Sequence, residues 1–133
     1  MEEFKIFIIG GEEGESGTLI VEERGDDCCL KFNYRGKTSE SCALDFFEAL
    51  CNIRLELERE KLIPLCYGSS LNVYPSAMGR DMGLGLKAYR MKMGCHVTRA
   101  DLVDIFSSGS DVIPAYVSQQ REFFEEWVHT PRV

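Results

Sequence analysis

The sequence predicts an α+β fold: a mostly antiparallel sheet of five or six strands, one long helix packed on a face of it, and two C-terminal helices. Two patterns carry that expectation. Strand-like runs of β-branched, aromatic and alternating apolar residues fill the first third of the chain, and after Gly36 the apolar residues recur at steps of three and four. With 44% hydrophobic and 28% charged residues, the 133-residue chain has enough apolar surface for a core, which excludes a disordered tail.

The run at 4–9 is β-branched and aromatic, 10–17 interrupts it, 18–21 resumes it, and Arg24-Gly25-Asp26-Asp27 signals a second turn. The run at 28–34 alternates, with Cys28, Leu30, Phe32 and Tyr34 on one face and Cys29, Lys31 and Asn33 on the other. The expected unit is a three-stranded meander over 4–35. Ala43, Phe46, Leu50, Ile53 and Leu57, widened by Leu44 and Phe47, then predict a helix over 42–60. Its polar side carries Asp45, Glu48, Arg54, Glu56, Glu58 and Arg59, and Ser39 or Ser41 is its expected cap. The stripe lasts under three heptads, which favours packing on the sheet over a coiled coil.

Residues 62–67 and 71–74 read as short strands around Gly68-Ser69-Ser70, with Pro64 marking an edge, and 84–93 reads as another. Thr98 and Asp101 open a helix through Phe106, and a last helix runs from Pro114, at its first position, to Val128. Along it Tyr116, Val117, Gln120, Phe123, Phe124, Trp127 and Val128 share one side, a pattern that suits core packing. No repeat, low-complexity tract or linker divides the chain, so 1–133 is expected to form a single domain, its mixed β and helical part covering 62–133.

The formal charge is -7, and the imbalance lies entirely in the first 27 residues. There nine acids (Glu2, Glu3, Glu12, Glu13, Glu15, Glu22, Glu23, Asp26 and Asp27) face only Lys5 and Arg24, while the remainder holds 13 acids and 13 bases. Such a face repels a nucleic-acid backbone or an anionic membrane and attracts a basic protein. The plain alternative is a solubilising surface. No basic leader precedes the first apolar run, and that run is far shorter than the roughly 20 residues of a membrane span, so the expected compartment is the cytoplasm. There the six cysteines (Cys28, Cys29, Cys42, Cys51, Cys66, Cys95) are expected to be reduced and semi-buried. No Cys-x-x-Cys occurs, and the two histidines follow no ligand spacing, so no metal or cofactor is implied.

The segment 67–85 is the most unusual part, setting Tyr67, Tyr74, Arg80 and Asp81 among four glycines and a proline. It fits a recognition loop. Its glycine spacing matches neither a dinucleotide-binding turn nor a Walker loop. Turn-forming glycines, with a short helical turn over 76–82 that seats Met78 and Met82 on the core, are the structural reading. Cys95-His96 places a thiol next to an imidazole, but sequence neighbours leaving a strand do not aim at each other, and His129 suits a helix C-terminus. No catalytic residue is assigned.

The stretch Leu71-Asn-Val-Tyr-Pro-Ser-Ala-Met-Gly-Arg-Asp-Met-Gly-Leu-Gly-Leu-Lys-Ala-Tyr89, followed by Asp101-Leu-Val-Asp-Ile-Phe106, resembles small acidic bacterial immunity-type proteins found beside polymorphic toxins. The resemblance spans the central and C-terminal half and transfers no functional residue. It implies a cytoplasmic, non-catalytic protein that binds a toxin domain and blocks it. The expected function is therefore protein binding, an inhibitor of a basic toxin or enzyme. Glu12, Glu13, Glu15, Glu22, Glu23, Asp26 and Asp27 would supply steering, and Tyr74 and Arg80 anchoring. The competing readings are a small-molecule-binding protein or enzyme built on the 67–85 loop, and an oligomeric scaffold.

Overall fold

In the computed structural model, which describes all residues Met1–Val133, four strands form a meander. They are β1 (Glu2–Ile9), β2 (Ser16–Arg24), β3 (Asp27–Tyr34) and β4 (Lys37–Ala43), each antiparallel to the next. The fourth strand replaces the start of the predicted 42–60 helix, because Lys37-Thr-Ser-Glu-Ser-Cys42 has no apolar alternation to reveal it. The turn makes it instead. Arg35 (φ 50°) and Gly36 (φ 70°) take the two positive φ values of a type I′ hairpin, which sets Tyr34 opposite Lys37.

The helix α1 (Phe46–Glu58) starts at a different cap from the serines expected. Asp45 accepts a hydrogen bond from the Glu48 N–H at 2.8 Å, since Ser39 and Ser41 are already in the strand. Phe46, Phe47, Ala49, Leu50, Ile53 and Leu57 pack on Ile6, Ile8, Leu19, Val21, Leu30, Phe32 and Tyr34 from the inner face of the sheet. At about 1.5–3 kcal/mol for each large apolar side chain buried, this interface is the main stabilising contact.

Two antiparallel sheets stand in place of one. β5 (Ile63–Pro64) pairs with Ile8 and Ile9, completing the order β4-β3-β2-β1-β5, while β6 (Val73–Tyr74), β7 (Lys87–Arg90) and β8 (Leu102–Asp104) make the second sheet. The mixed α+β class holds, but with one C-terminal helix, α3 (Val117–His129). The helix expected over 98–106 is absent. The Asp101 carboxylate does accept from the Thr98 N–H at 2.8 Å, yet the turn it closes is only 3₁₀, and Leu102 and Val103 then pair with Tyr89 and Ala88. Sheet pairing and complete burial of Ile105 outweigh local helix signals there. Pro114 is not the first residue of α3 either. It lies in a bridge with Ser70, and the helix starts three residues later at Val117, behind the cap residue Tyr116, whose N–H donates to Gln119 Oε1.

Two side-chain expectations are corrected as well. The short helix α2 (Ala77–Met82) forms, capped by Ser76, but Met78 and Met82 are 71% and 79% exposed. Arg80, two positions from each, is turned inward onto Asp45 and Glu48, which leaves the methionine face to solvent. Of the six cysteines, Cys29 and Cys42 are joined as a disulfide. Cys28 and Cys29 do point to opposite faces of β3. The register places Cys29 directly opposite Cys42 on the outer face, a proximity invisible in residue spacing.

Arg54, expected on the polar side of α1, is 1% exposed. The helix α3 covers it. Its guanidinium donates to the Gly68 carbonyl (2.9 Å), the Ala115 carbonyl (3.0 Å) and Gln120 Oε1 (2.7 Å), with no carboxylate in contact. The Gln120 amide reaches the carbonyls of Gly68, Ser70 and Val73, each at 2.9 Å. Glycine at 68 suits this close approach, because a Cβ there would press on the buried Leu50 side chain and lie 3.1 Å from the Ile105 carbonyl oxygen. Burial lowers the Arg54 pKa from its usual range, and Nε is the one buried side-chain polar atom without a partner. Arg54→Met leaves the Ala115 carbonyl and Gln120 Oε1 without this donor, and is expected to destabilise the fold by about 3–5 kcal/mol in urea unfolding. A loss under 1 kcal/mol contradicts that role.

Candidate functional site

The antiparallel meander sorts the N-terminal acids by sheet end. Glu12, Glu13 and Glu15 lie in the β1–β2 connection, whereas Glu22, Glu23, Asp26 and Asp27 lie around the β2–β3 turn, at the other end of β2. Glu2 and Glu3, opposite Val21 and Ile20, join the second group. Eight residue steps along β2 separate the two ends by roughly 26 Å. That is about three Debye lengths at physiological ionic strength, so the fields of the two groups are independent.

The two ends also differ in how much charge is already paired. At the β1–β2 end, Glu15 receives a bidentate clasp from Arg35, with Nε to Oε2 at 2.6 Å and the second contact at 2.9 Å. Those Arg35 hydrogen bonds, helped by the Glu12 N–H, hold the Glu15 carboxyl below its usual range. Only Glu12 and Glu13 remain without an ion pair there. At the β2–β3 end, Arg24 bonds Glu22 at 2.9 Å and approaches Glu40 at 3.8 Å, while Glu2, Glu3, Glu23, Asp26 and Asp27 form no ion pair. This end carries most of the uncompensated charge.

Tyr74 and Arg80 stand apart from both groups and are held internally. The Tyr74 ring stacks on Phe124 at 4.1 Å and meets Phe47 edge-on at 5.1 Å, and burial raises its hydroxyl pKa. Arg80 bonds Asp45 (3.1 Å) and Glu48 (2.8 Å) and lies 5.5 Å from the centre of the Phe47 ring. The 67–85 segment thus locks α2 to the N-terminus of α1, and of its four glycines only Gly85 takes a positive φ. Five surface clefts, at 71/114–126, 20–40, 2–21/86–107, 12–35 and 34–60, are lined by none of Tyr74, Arg80, Asp81 and the histidines. The half-buried Trp127 donates to the carbonyls of Lys92 and Cys95, and His129 Nδ1 lies 2.7 Å from the Glu125 carbonyl oxygen. No three His, Cys, Asp or Glu side chains converge on a point that would hold a metal ion.

Residue order alone missed the part of Glu2 and Glu3, which only the β1–β2 register brings to the second group. It also missed Phe4, Leu86, Asp104 and Phe106, which form a cleft beside them. Their one local signal is the alternation Glu3-Phe4-Lys5-Ile6, which marks Phe4 as inward-facing.

No helix is long and apolar enough to cross a membrane. No protein-family model matches the chain, and no curated protein matches it.

The Glu15–Arg35 clasp has a pH signature. Because the folded-state pKa of Glu15 lies below the unfolded value of about 4.3, its stabilising contribution is present above that pH and is lost as pH falls through the folded value. Carboxyl NMR titration is expected to show Glu15 ionising below the ordinary glutamate range, and Arg35→Gln to return it upward. A Glu15 midpoint unmoved by Arg35→Gln contradicts the clasp.

Proposed function

We infer that this protein is a non-catalytic binding module that engages and inhibits a basic protein partner, acting in the cytoplasm as the immunity-type resemblance implies. The observation that carries the reading is the set Glu2, Glu3, Glu23, Asp26 and Asp27 at one sheet end, none of them in an ion pair. Proteins that bind nucleic-acid phosphates are basic, and an acidic end of this kind steers them and competes for the same surface. The compartment bears on the disulfide. A reducing cytoplasm opens an accessible disulfide, and Cys42 is exposed. In that setting β4 is held by its turn and its pairing with β3, with two opposed thiols.

Of the other readings, a ligand site in the 67–85 loop is disfavoured because Tyr74 and Arg80 are already engaged with Phe124, Asp45 and Glu48. The test is kinetic and uses the protein that co-purifies with this chain from native cells. The triple variant Glu23→Lys, Asp26→Lys, Asp27→Lys is expected to slow its association at least tenfold at low salt and to flatten the salt dependence. Glu12→Lys with Glu13→Lys is expected to change it by less than twofold. Equal effects from both variants, or none from either, remove the electrostatic reading.

A further inference from the structure

β1 is paired with β2 along one side, from Glu2 to Phe7, but on its other side it is paired only at Ile8 and Ile9, by β5. One bond extends that edge, from the Leu65 N–H to the Phe7 carbonyl at 2.7 Å. Backbone groups alternate in direction along a strand, so Lys5 and Glu3 aim their N–H and C=O to the same side as Phe7, where no strand meets them. Folded proteins usually cover such an edge, bulge it, block it with proline or set charged side chains on it. Of these guards β1 has only charge, Glu3 and Lys5, which opposes in-register pairing with a second copy of the same edge but leaves Glu3 open to a basic segment. Residues 2–6 contain no proline, and their pairing with β2 runs without a bulge.

Beside this edge the inner face of the sheet opens into a cleft of about 290 Å³. Phe4, Val21, Leu86 and Phe106 supply its apolar lining, and Glu2 and Asp104 also border it. The Phe4 ring is half-buried and lies 5.5 Å from that of Phe106. The volume lies just below the range of about 300–1,000 Å³ typical of small-molecule sites, a size suited to one or two side chains of a peptide. Charge then selects the occupant. Glu2 and Glu3 are exposed and unpaired, and Asp104 has only Lys87, at 3.7 Å, with both side chains more than 60% exposed.

Resting on the reading that the acidic end binds a basic protein, we propose that β1 takes up an extended segment of that partner as an added strand along residues 2–6. The segment alternates polar and apolar residues. Its backbone bonds Glu3 and Lys5, and one apolar side chain enters the cleft against Phe4, Leu86 and Phe106. A lysine or arginine lies on the outer face opposite Glu3, and a neutral residue lies opposite Lys5, where a like charge would be repelled. Main-chain bonds give such strand addition its affinity, and the pocket for an alternate side chain gives it specificity.

The probe is the peptide acetyl-Lys-Val-Thr-Phe-Lys-Val-Lys-amide, whose Thr falls opposite Lys5 and whose central Lys falls opposite Glu3 in antiparallel register. It is titrated into the full chain and followed by amide NMR and hydrogen exchange. The expected result is shifts at Phe4, Leu86 and Phe106, with exchange at Glu3 and Lys5 slowed at least tenfold at saturation. Lys5→Pro removes the donor facing the open edge while sparing the β1–β2 bonds, and is expected to weaken binding at least tenfold. Glu3→Lys, an exposed substitution that leaves the strand intact, is expected to do the same. Peptide binding that leaves Glu3 and Lys5 unprotected, or that neither variant weakens, overturns strand addition. If that binding still falls with the Glu23, Asp26 and Asp27 reversals, the acidic-end reading survives alone. A peptide that fails to bind, or binds without regard to any of these acids, overturns both. Dimerisation of the chain through this edge at NMR concentrations also overturns the proposal, since it names the wrong occupant.

Discussion

The guanidinium of Arg54 is the fixed point around which the C-terminal half is assembled. It brings a positive charge into the interior with no carboxylate beside it, and the charge is met by two backbone carbonyls and the Gln120 side-chain oxygen. A buried ion held only by dipoles is costly unless its acceptors are placed in advance. The segment from Cys66 to Val73 supplies that placement. It is bonded to the 105–115 segment through Gly68 N–H to the Ile105 carbonyl, Tyr67 N–H to the Ser107 carbonyl and Ala115 N–H to the Ser69 carbonyl. Glu58 completes the joint by accepting the Val117 N–H at 2.9 Å, an acid at the start of α3 where the helix dipole favours it. One consequence reaches the far side of the molecule. Phe106, one residue beyond Ile105, is set against Phe4 and Phe46, and so forms a wall of the cleft beside β1.

Much of the fold is legible in the sequence wherever periodicity is strong. The first three strands, α1, most of α3 and the start of α2 all announce themselves by spacing or by a cap. What stays hidden depends on contacts between distant residues. β4 has a polar sequence and exists because a two-residue turn returns it along β3. Arg54 looks solvent-facing because amphipathic patterning assumes one covered side, and α1 is covered on two. The 98–106 segment carries a real helix start that is overruled by pairing with β7. The disulfide depends on register, which residue spacing along one strand does not contain.

The candidate site shows the same limit in a different form. Nine acids in 27 residues look like one cluster, yet a strand of nine residues runs between them and carries them to opposite ends. Screening then makes the ends independent, and Arg35 removes Glu15 from the count. The uncompensated charge that survives lies next to an unpaired strand edge and an apolar cleft, three features that residue order gives no reason to associate. Tyr74 and Arg80, prominent in the sequence, turn out to be structural members that join α2 to α1 and Tyr74 to α3.

Arg54 and Gln120 bind α1, the Cys66–Val73 segment, the second sheet and α3 into one cooperative unit. Native-state hydrogen exchange across increasing denaturant tests it most directly. The amides of Gly68, Ile105 and Ala115 are expected to open together with those of Leu50 and Ile53 in α1, with one free energy equal to that of global unfolding. Opening of Ile105 and Ala115 at a distinctly lower free energy, with α1 still protected, would contradict it.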